Sequence, residues 1–263
     1  MGFLHSIRSK GPAGAISAVR ARILKPFTPF DVRNFTPSKD TPKFVPTSDL
    51  EVAFSNKTGN QVHKWVHYLE IYERYLDRFR GTDFNLLEIG VFRGGSLELW
   101  RQHFGDKANI FGIDIDPNCE KFDGVAGQVR IGSQADPEFL KSVVQEMGGV
   151  DVVIDDGSHN SVHIKRSFDL LFPLLPEGGI YIVEDLHCAF WPAYSGGYRW
   201  PWSFINQTKR MIDDMHHWYH RKGQKNASTR DCLKAIHVYD SIIVFEKGAM
   251  QQPMEMIVPA EGK

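Results

Sequence analysis

Short apolar segments alternate with helical patterns through the middle of the chain, and no other feature restricts its possible folds as strongly. The apolar segments have the length and the branched side chains of strands, and the segments between them repeat apolar residues at helical spacing. Strands and helices that alternate in this way form right-handed βαβ units. The sequence therefore predicts a doubly wound α/β fold with a mostly parallel sheet. The predicted strands span residues 85–91, 109–115, 150–156 and 179–185, and the predicted helices between them span 96–104, 137–147 and 163–175.

Further elements are predicted on both sides of this region. Apolar residues at helical spacing predict an amphipathic helix over residues 62–79, a helical N-terminal extension of the fold. After the sheet, another helix is predicted over residues 204–221. Two β-rich runs within residues 233–247 predict a closing antiparallel hairpin. The polar residues of the first helix are interpreted as its solvated face, and they are His63, Lys64, His67 and Tyr68.

One predicted domain, residues 51–249, lies between two terminal segments. Residues 1–50 contain scattered prolines and little apolar periodicity, which predicts an irregular arm. This arm is basic, because no acidic residue precedes Asp31. We interpret it as a solvated extension, with a membrane-surface or partner-binding arm as the alternative. Residues 250–263 are predicted to be a C-terminal tail.

The overall charge and hydropathy disfavour several classes of protein. Lys and Arg number 31 against 32 Asp and Glu, and a formal net charge of −1 gives no reason to expect a nucleic-acid partner. No apolar run approaches the roughly 18 residues of a membrane span, and the N-terminal residues lack the apolar stretch of a signal peptide. The three cysteines are far apart and are interpreted as reduced thiols. We therefore expect a cytoplasmic protein with no transmembrane segment.

Two of the predicted strands end in adjacent acidic residues. One runs into Asp155 and Asp156, followed by a glycine turn and His159, and the other ends in Glu184 and Asp185. A buried, unpaired carboxylate costs several kcal/mol, so these side chains must reach an open edge of the sheet. If the two strands are neighbours, their carboxylates meet at the edge where open α/β sheets bind ligands.

These acidic residues also have a structural interpretation. Asp155 or Asp156 could cap a helix together with Ser158, because Asp and Ser favour that position. A cap does not explain the second acidic pair, so a metal is favoured for Asp156, whereas the two interpretations of Asp155 are equally good. His159 alone would be a turn residue, and only its acidic neighbours suggest a chemical role.

The turn after the first predicted strand has features of a cofactor site. Its glycine spacing is GxxxGG, and Phe92 stands where the GxGxxG turn of a dinucleotide enzyme has its second glycine. The next predicted strand ends in Asp114 and Asp116, and a carboxylate there suits the two hydroxyls of a ribose. We prefer Asp114, the nearer to the strand. A nucleoside cofactor without a pyrophosphate fits these features, and the predicted cofactor residues of this region are Glu88, Gly90, Gly94, Gly95, Ser96 and Asp114.

Longer motifs carry a resemblance to a known family. The turn ExGxxxGGS followed by GIDID resembles the class I S-adenosylmethionine-dependent methyltransferases, which have a Rossmann-like fold. Together with VIDDGSH, SFDLLFPLLPEGG and YIVEDLHCAFWP, it resembles the metal-dependent sugar O-methyltransferases of macrolide biosynthesis, over roughly residues 55–248. The resemblance implies S-adenosylmethionine and Mg²⁺ as cofactors and a homo-oligomer. It also implies that Asp156, Glu184 and Asp185 hold the metal and that His159 is the general base, and we add Gln134 to the cofactor residues.

The chemistry of methyl transfer to a sugar agrees with these residue types. A sugar hydroxyl holds its proton tightly, and a divalent cation bound to neighbouring sugar oxygens lowers the pKa of that hydroxyl. Carboxylates are the hard oxygen ligands that Mg²⁺ prefers. A histidine beside them can accept the proton near neutral pH.

The sequence thus predicts a metal-dependent O-methyltransferase that acts on a sugar hydroxyl of a glycosylated natural product or an oligosaccharide. One alternative is a methyltransferase for a catechol or another vicinal diol, because the metal chemistry is the same. Another is a nucleotide-binding protein without catalytic activity. The aromatic segment 190–202 is assigned equally to packing and to acceptor binding. His163 and His187 are candidates for contacts just outside the site.

Overall fold

The computed structural model describes residues 44–258, which form a seven-stranded sheet covered by helices. Most of the predicted arm and the end of the predicted tail lie outside the described residues. The strands are β1 (Phe84–Ile89), β2 (Ala108–Asp114), β3 (Gln128–Ile131), β4 (Val152–Asp155), β5 (Ile180–Val183), β6 (Leu233–Val238) and β7 (Ile243–Lys247). The α-helices are α1 (Asp49–Ser55), α2 (Tyr68–Leu76), α3 (Gly95–Phe104), α4 (Pro137–Met147), α5 (Ser161–Leu171) and α6 (Phe204–Met215).

The strand order β3-β2-β1-β4-β5-β7-β6 confirms the predicted doubly wound topology. Strands β1 to β5 are parallel, and β7 pairs antiparallel with both β5 and β6, which confirms the closing hairpin. The chain leaves β1 toward β2 and β3 and then returns to the other side of β1 as β4. The carboxyl ends of β1 and β4 therefore form the topological switch point at which such sheets bind ligands.

The register of the sheet aligns the strand ends that carry acidic residues. Asp155 of β4 lies opposite Ile89 of β1 on one side and Val183 of β5 on the other. The residues that follow these three strands must therefore leave the sheet at the same level. This confirms that the two acid-ended strands are neighbours.

The buried strands divide their side chains between two apolar cores, one on each face of the sheet. Val152 and Ile154 of β4 pack in the core that contains Tyr72 and Trp100, whereas Val153 packs in the core that contains Phe168. This alternation follows from the two-residue repeat of a strand. Both faces are apolar, which explains why β4 and β5 are continuous apolar runs.

Four elements differ from the sequence prediction. The helix predicted over residues 204–221 ends at Met215, and a separate 3₁₀ turn, His217–Tyr219, follows it. Strand β3 was not predicted, because its sequence QVRI is short and half polar. Helix α1 was not predicted either, although Ser48 caps it by accepting a hydrogen bond from the Glu51 N–H. The predicted helix 62–79 begins only at Tyr68, and residues 62–67 form no regular element. Within residues 44–258, none of the helices combines the length and the hydropathy that crossing a lipid bilayer requires.

Candidate active site at the carboxyl edge of the sheet

A cavity of about 430 Å³ opens at the switch point. Its wall contains residues at or just after the ends of β1, β2, β4 and β5, among them Gly90, Asp114, Asp156 and Asp185. The predicted cofactor residues Gly90, Asp114 and Gln134 lie on this wall. The others lie outside the lining of this cavity, namely Glu88, Gly94, Gly95 and Ser96.

Gly90 allows the ends of β1 and β4 to touch. Its φ angle is +100°, and a Cβ atom at this position would lie 2.2 Å from the main-chain oxygen of Asp156. Any side chain would therefore force the two strand ends apart. Glycine is required here because the backbone of Asp156 leaves no room for a side chain. Glycine also leaves the backbone open to the cavity beside it.

Asp114 holds the turn after β1. One of its carboxylate oxygens accepts hydrogen bonds from the N–H groups of Val91 and Phe92, at 3.0 and 2.9 Å, and the other accepts from Asp116 N–H at 2.9 Å. A carboxylate has about four acceptor positions. Asp114 therefore fixes the backbone of the cavity wall and keeps acceptor capacity toward the cavity, as its predicted contact with a ribose requires.

Glu88 is fully buried and connects β1 to α3. It accepts hydrogen bonds from Ser96 Oγ at 2.7 Å and from Trp100 Nε1 at 3.1 Å. Burial raises the pKa of Glu88, and the positive charge of Lys64 opposes this rise. The predicted cofactor residues Glu88 and Ser96 thus form a hydrogen-bonded support behind the cavity.

Lys64 lies at the centre of the site, and its interpretation as part of a solvated helix face was wrong. Its Nζ atom donates to Asp156 Oδ2 at 2.7 Å and to both carboxylate oxygens of Glu184 at 3.0 Å, and it lies 3.7 Å from Glu88 Oε1. The side chain is only 2% exposed. Burial by itself would lower the pKa of Lys64, but the three carboxylates hold it well above its usual value. Lys64 is therefore a buried ammonium ion.

The segment before α2 carries Lys64 into the site because it crosses closely over the start of α3. A Cβ atom on Gly95 would lie 2.3 Å from the main-chain oxygen of Gln61. The helix begins only after this crossing, at Tyr68. The sequence held one signal for the role of Lys64, namely that a cluster of acidic strand ends requires a positive charge.

Asp185 is oriented by two aromatic residues from the same part of the chain. One carboxylate oxygen accepts from Trp65 Nε1 at 3.0 Å and from the Tyr68 hydroxyl at 3.1 Å. The other lies 3.8 Å from His159 Nε2. Asp185 has a φ angle of +53°, so its direction depends on a backbone conformation that few residues other than glycine adopt.

Asp156, His159 and Asp185 converge at the mouth of the cavity. One possible ligand atom from each lies within 4.8 Å of the others, which is the separation that a single bound cation requires. Two carboxylates suit Mg²⁺, while an imidazole ligand is more typical of transition metals. His159 Nδ1 is buried and has no hydrogen-bond partner among the described residues, whereas Nε2 lies toward Asp185 in a residue that lines the cavity, so Nε2 is the nitrogen placed to accept a proton.

Glu184 lies beside these three residues, but its carboxylate is bound to Lys64. Both of its oxygens accept from Lys64, and its side chain is 1% exposed. Burial, followed by the charge of Asp156, raises the pKa of Glu184 to about 8, and Lys64 opposes this rise. A divalent cation held by Glu184 would therefore share this carboxylate with the Lys64 ammonium. The donor set as a whole fits a magnesium ion, with Asp156 and Asp185 the more accessible ligands.

Asp155, whose role the sequence left open, is a structural anchor. It is buried and accepts from Ser167 Oγ at 2.8 Å, from the Tyr181 hydroxyl at 3.0 Å and from Gln134 Nε2 at 3.0 Å. Burial raises its pKa, and these three donors oppose the rise. The N-cap of α5 is Asn160, so Asp155 does not cap that helix.

Gln134 connects Asp155 to the turn that carries His159. Its side-chain oxygen accepts from Ser158 N–H at 2.7 Å while its amide nitrogen donates to Asp155. Gln134 is almost fully buried yet lies on the cavity wall. Its position joins the cofactor side of the cavity to the Asp156–His159 side.

The two neighbouring histidines make separate contacts. His163 Nδ1 lies 3.0 Å from Ser158 Oγ. His187 Nδ1 lies 2.6 Å from Ser241 Oγ and 4.0 Å from Asp185 Oδ1. Burial lowers the pKa of His187, which favours its neutral form beside the acidic cluster.

Comparison with known proteins identifies the class to which this site belongs. Residues 87–186 match the family model described as a methyltransferase domain. This range begins within β1 and contains β2 to β5, with the carboxylates at the ends of β2, β4 and β5. The seven-stranded sheet and this match together define a class I methyltransferase domain.

The more specific resemblance to sugar O-methyltransferases is also confirmed. The chain is 34% identical over 201 residues to the 8-demethyl-8-alpha-L-rhamnosyl tetracenomycin-C 2'-O-methyltransferase of Streptomyces olivaceus, covering 71% of this chain and 52% of the relative. It is 33% identical over 191 residues to the mycinamicin VI 2''-O-methyltransferase of Micromonospora griseorubida, covering 67% and 47%. The structure of the MycE methyltransferase with Mg, SAH and mycinamycin VI matches with a TM-score of 0.61 and 31% identity, over 69% of this chain and 50% of that chain. The chain spans about half the length of the relatives it matches.

Replacement of Lys64 tests its role as the counter-charge of the site. We expect Lys64→Met to lower the free energy of unfolding by about 3–5 kcal/mol, because it leaves buried carboxylates without their cation. Urea unfolding of both proteins measures this difference. The control is Lys141→Met, whose exposed ion pair with Glu138 should contribute about 1 kcal/mol or less. Equal losses in the two variants would contradict the assignment.

Asp155→Asn tests the structural anchor. An asparagine keeps the shape but faces three donors with one oxygen, so we expect a loss of about 1–3 kcal/mol in the free energy of unfolding. Chemical denaturation gives the value, and the exposed Asp83→Asn serves as the matched control. A stability within about 0.5 kcal/mol of the wild type would show that the three hydrogen bonds do not stabilise the fold.

Proposed function

We propose that this chain is an S-adenosylmethionine-dependent O-methyltransferase that methylates a sugar hydroxyl of a glycosylated natural product. The observation that carries the proposal is the convergence of Asp156, His159 and Asp185 at the mouth of a cavity whose other wall is the Gly90 turn. This arrangement places two carboxylates and an imidazole beside a cavity at the switch point of the sheet. The names of the related proteins support a glycoside as the acceptor.

The cavity wall suits the methyl donor. The Gly90 turn permits close approach of the backbone, and Asp114 has acceptor capacity for ribose hydroxyls. Bound S-adenosylmethionine would supply an electrophilic methyl group. Gln134 and Asp114 lie on the same wall and hold the two loops that frame it.

The acidic edge suits an acceptor with neighbouring hydroxyls. We assign Asp156, Glu184 and Asp185 as the groups that would hold Mg²⁺, which would supply Lewis-acid assistance to the acceptor hydroxyl. Trp65 and Tyr68 orient Asp185, and Lys64 balances the charge of Glu184 and Asp156.

His159 is placed to take the proton. As the acceptor oxygen bonds to the methyl carbon and the sulfur–carbon bond breaks, the hydroxyl proton moves to a nitrogen of the His159 ring. Asp185 Oδ2, 3.8 Å from Nε2, stabilises the resulting positive charge on the imidazole. The neutral thioether of S-adenosylhomocysteine then leaves.

A catechol or another vicinal diol stays the alternative acceptor, since it would use the same acidic edge. The homo-oligomer, the cytoplasmic location and the lack of a nucleic-acid partner remain predictions from the sequence. The division of the chain into an arm (residues 1–50), one domain (51–249) and a tail (250–263) also remains a prediction from the sequence.

Metal dependence is tested by binding as well as by turnover. We expect chelation with EDTA to abolish methyl transfer to a glycoside and added Mg²⁺ to restore it. Asp156→Asn and Asp185→Asn should each weaken Mg²⁺ binding at least about tenfold by calorimetry, because each removes a charged ligand. The exposed Asp106→Asn should bind Mg²⁺ as the wild type does. Full turnover in chelator would exclude the metal from the reaction.

The base is tested with a substitution that tolerates the local backbone. His159 has a φ angle of +52°, a conformation that asparagine adopts readily, so His159→Asn should fold. We expect turnover to fall by about 10²–10⁴ while S-adenosylhomocysteine binding is unchanged. The exposed His216→Asn is the control. If His159→Asn turned over at the wild-type rate, another group would be the base.

A further inference from the structure

We propose that five aromatic rings beside Asp185 form a binding platform for the pyranose ring of the acceptor. The rings belong to Trp65, His187, Trp191, Tyr194 and His159, and we call them the aromatic arc. The proposal rests on the proposed function and deepens it, because it assigns the acceptor side of the same site. The sequence assigned the loop 190–202 equally to packing and to acceptor binding, and the structure separates its members.

The arc is continuous from one end to the other. The centroids of Trp65 and His187 are 5.9 Å apart, and those of His187 and Trp191 are 5.2 Å apart. Trp191 lies 5.8 Å from Tyr194, which lies 6.3 Å from His159. All five residues are partly exposed, so part of each side chain remains accessible to a ligand.

Both ends of the arc reach the reacting groups. Trp65 and His159 line the cavity, and each faces a different oxygen of Asp185, at 3.0 and 3.8 Å. A molecule lying on Trp191 and Tyr194 would therefore have its edge next to Asp185 and His159. This is the position from which a hydroxyl could be methylated.

The loop that carries Trp191 and Tyr194 is firmly built. It consists of two short 3₁₀ turns, Leu186–Phe190 and Pro192–Tyr194. A Cβ atom on Gly196 would lie 2.2 Å from the main-chain oxygen of Ala189, and Gly197 N–H donates to the same oxygen at 2.9 Å. The two ends of the loop are thus in contact. Such a loop presents its rings in fixed positions, which lowers the entropy lost on binding.

The remaining aromatic residues of the segment form a separate pair. Trp200 and Trp202 have centroids 5.7 Å apart, and Trp202 is 63% exposed. Their ring contact is with each other, whereas Trp191 and Tyr194 are linked ring to ring with His187 and His159. We therefore assign the acceptor contact to Trp191 and Tyr194.

The combination of aromatic faces and carboxylates defines the chemical class of the occupant. A pyranose presents C–H groups on its faces and hydroxyls around its rim, so it can rest on the arc while its rim meets Asp156 and Asp185. Aromatic rings carry partial negative charge on their faces, which favours polarised C–H groups. The acidic cluster disfavours an acidic sugar. The expected occupant is an uncharged pyranoside with adjacent hydroxyls.

Direct binding of a simple pyranoside tests the platform without turnover. The probe is methyl α-L-rhamnopyranoside, measured by saturation-transfer NMR on the full chain with S-adenosylhomocysteine and Mg²⁺ present. We expect Trp191→Leu and Tyr194→Leu each to weaken binding about tenfold, and Trp191→Phe to retain most of it, since a ring remains. The matched control is Trp218→Leu, which should bind the probe as the wild type does. Trp218 is 40% exposed and does not belong to the aromatic arc.

Three results would overturn the platform: no probe binding by the wild type, binding by Trp191→Leu and Tyr194→Leu as tight as that of the wild type, or tighter binding of methyl glucuronide than of the neutral probe. Calorimetry with S-adenosylhomocysteine shows that each variant is folded, because the cofactor wall does not include Trp191 or Tyr194. Failure of the proposed function would show differently, as loss of S-adenosylhomocysteine binding or of methyl transfer in the wild type. Probe binding that depends on Trp191 supports the platform whichever diol is finally methylated.

Discussion

The site depends on one buried positive charge. Lys64 places its ammonium within 2.7 to 3.7 Å of the carboxylates of Asp156, Glu184 and Glu88, two of which are almost completely buried. Without a cation, several carboxylates could not stay ionised in this position, since each carries a desolvation cost of several kcal/mol. The crossing of Gln61 over α3 and the late start of α2 both serve to bring this residue inward.

The sheet could be predicted from the sequence because its signals are local. β4 and β5 are uninterrupted apolar runs, and the helical patterns between the strands leave few possible connections. The edge strand β3 could not be predicted, because a short strand that contains Gln128 and Arg130 has no clear alternation. The start of α2 could not be predicted either. Helical spacing continues back to Val62, but residues 62–67 form no helix where the chain packs against the start of α3.

The site could be predicted only in part, for a similar reason. Parallel strands must end at one edge, so the meeting of Asp156 and Asp185 follows from topology. The different roles of Asp155 and Asp156 follow from the pleat, because neighbouring residues point in opposite directions. Asp155 points into the core toward Ser167, and Asp156 points to the cavity, but the sequence does not say which is which. Lys64 was missed because its burial depends on segments far apart in the chain.

The left-handed backbone conformations around the cavity have a cost for the whole molecule. Phe92, His159 and Asp185 have φ angles of +49°, +52° and +53°, and each such conformation costs about 1–3 kcal/mol in a residue with a side chain. All three lie at the ends of strands that surround the same cavity. Selection for thermal stability alone would replace them with glycine or asparagine. These three conformations therefore place a cost in stability directly at the edge of the sheet that carries the cavity.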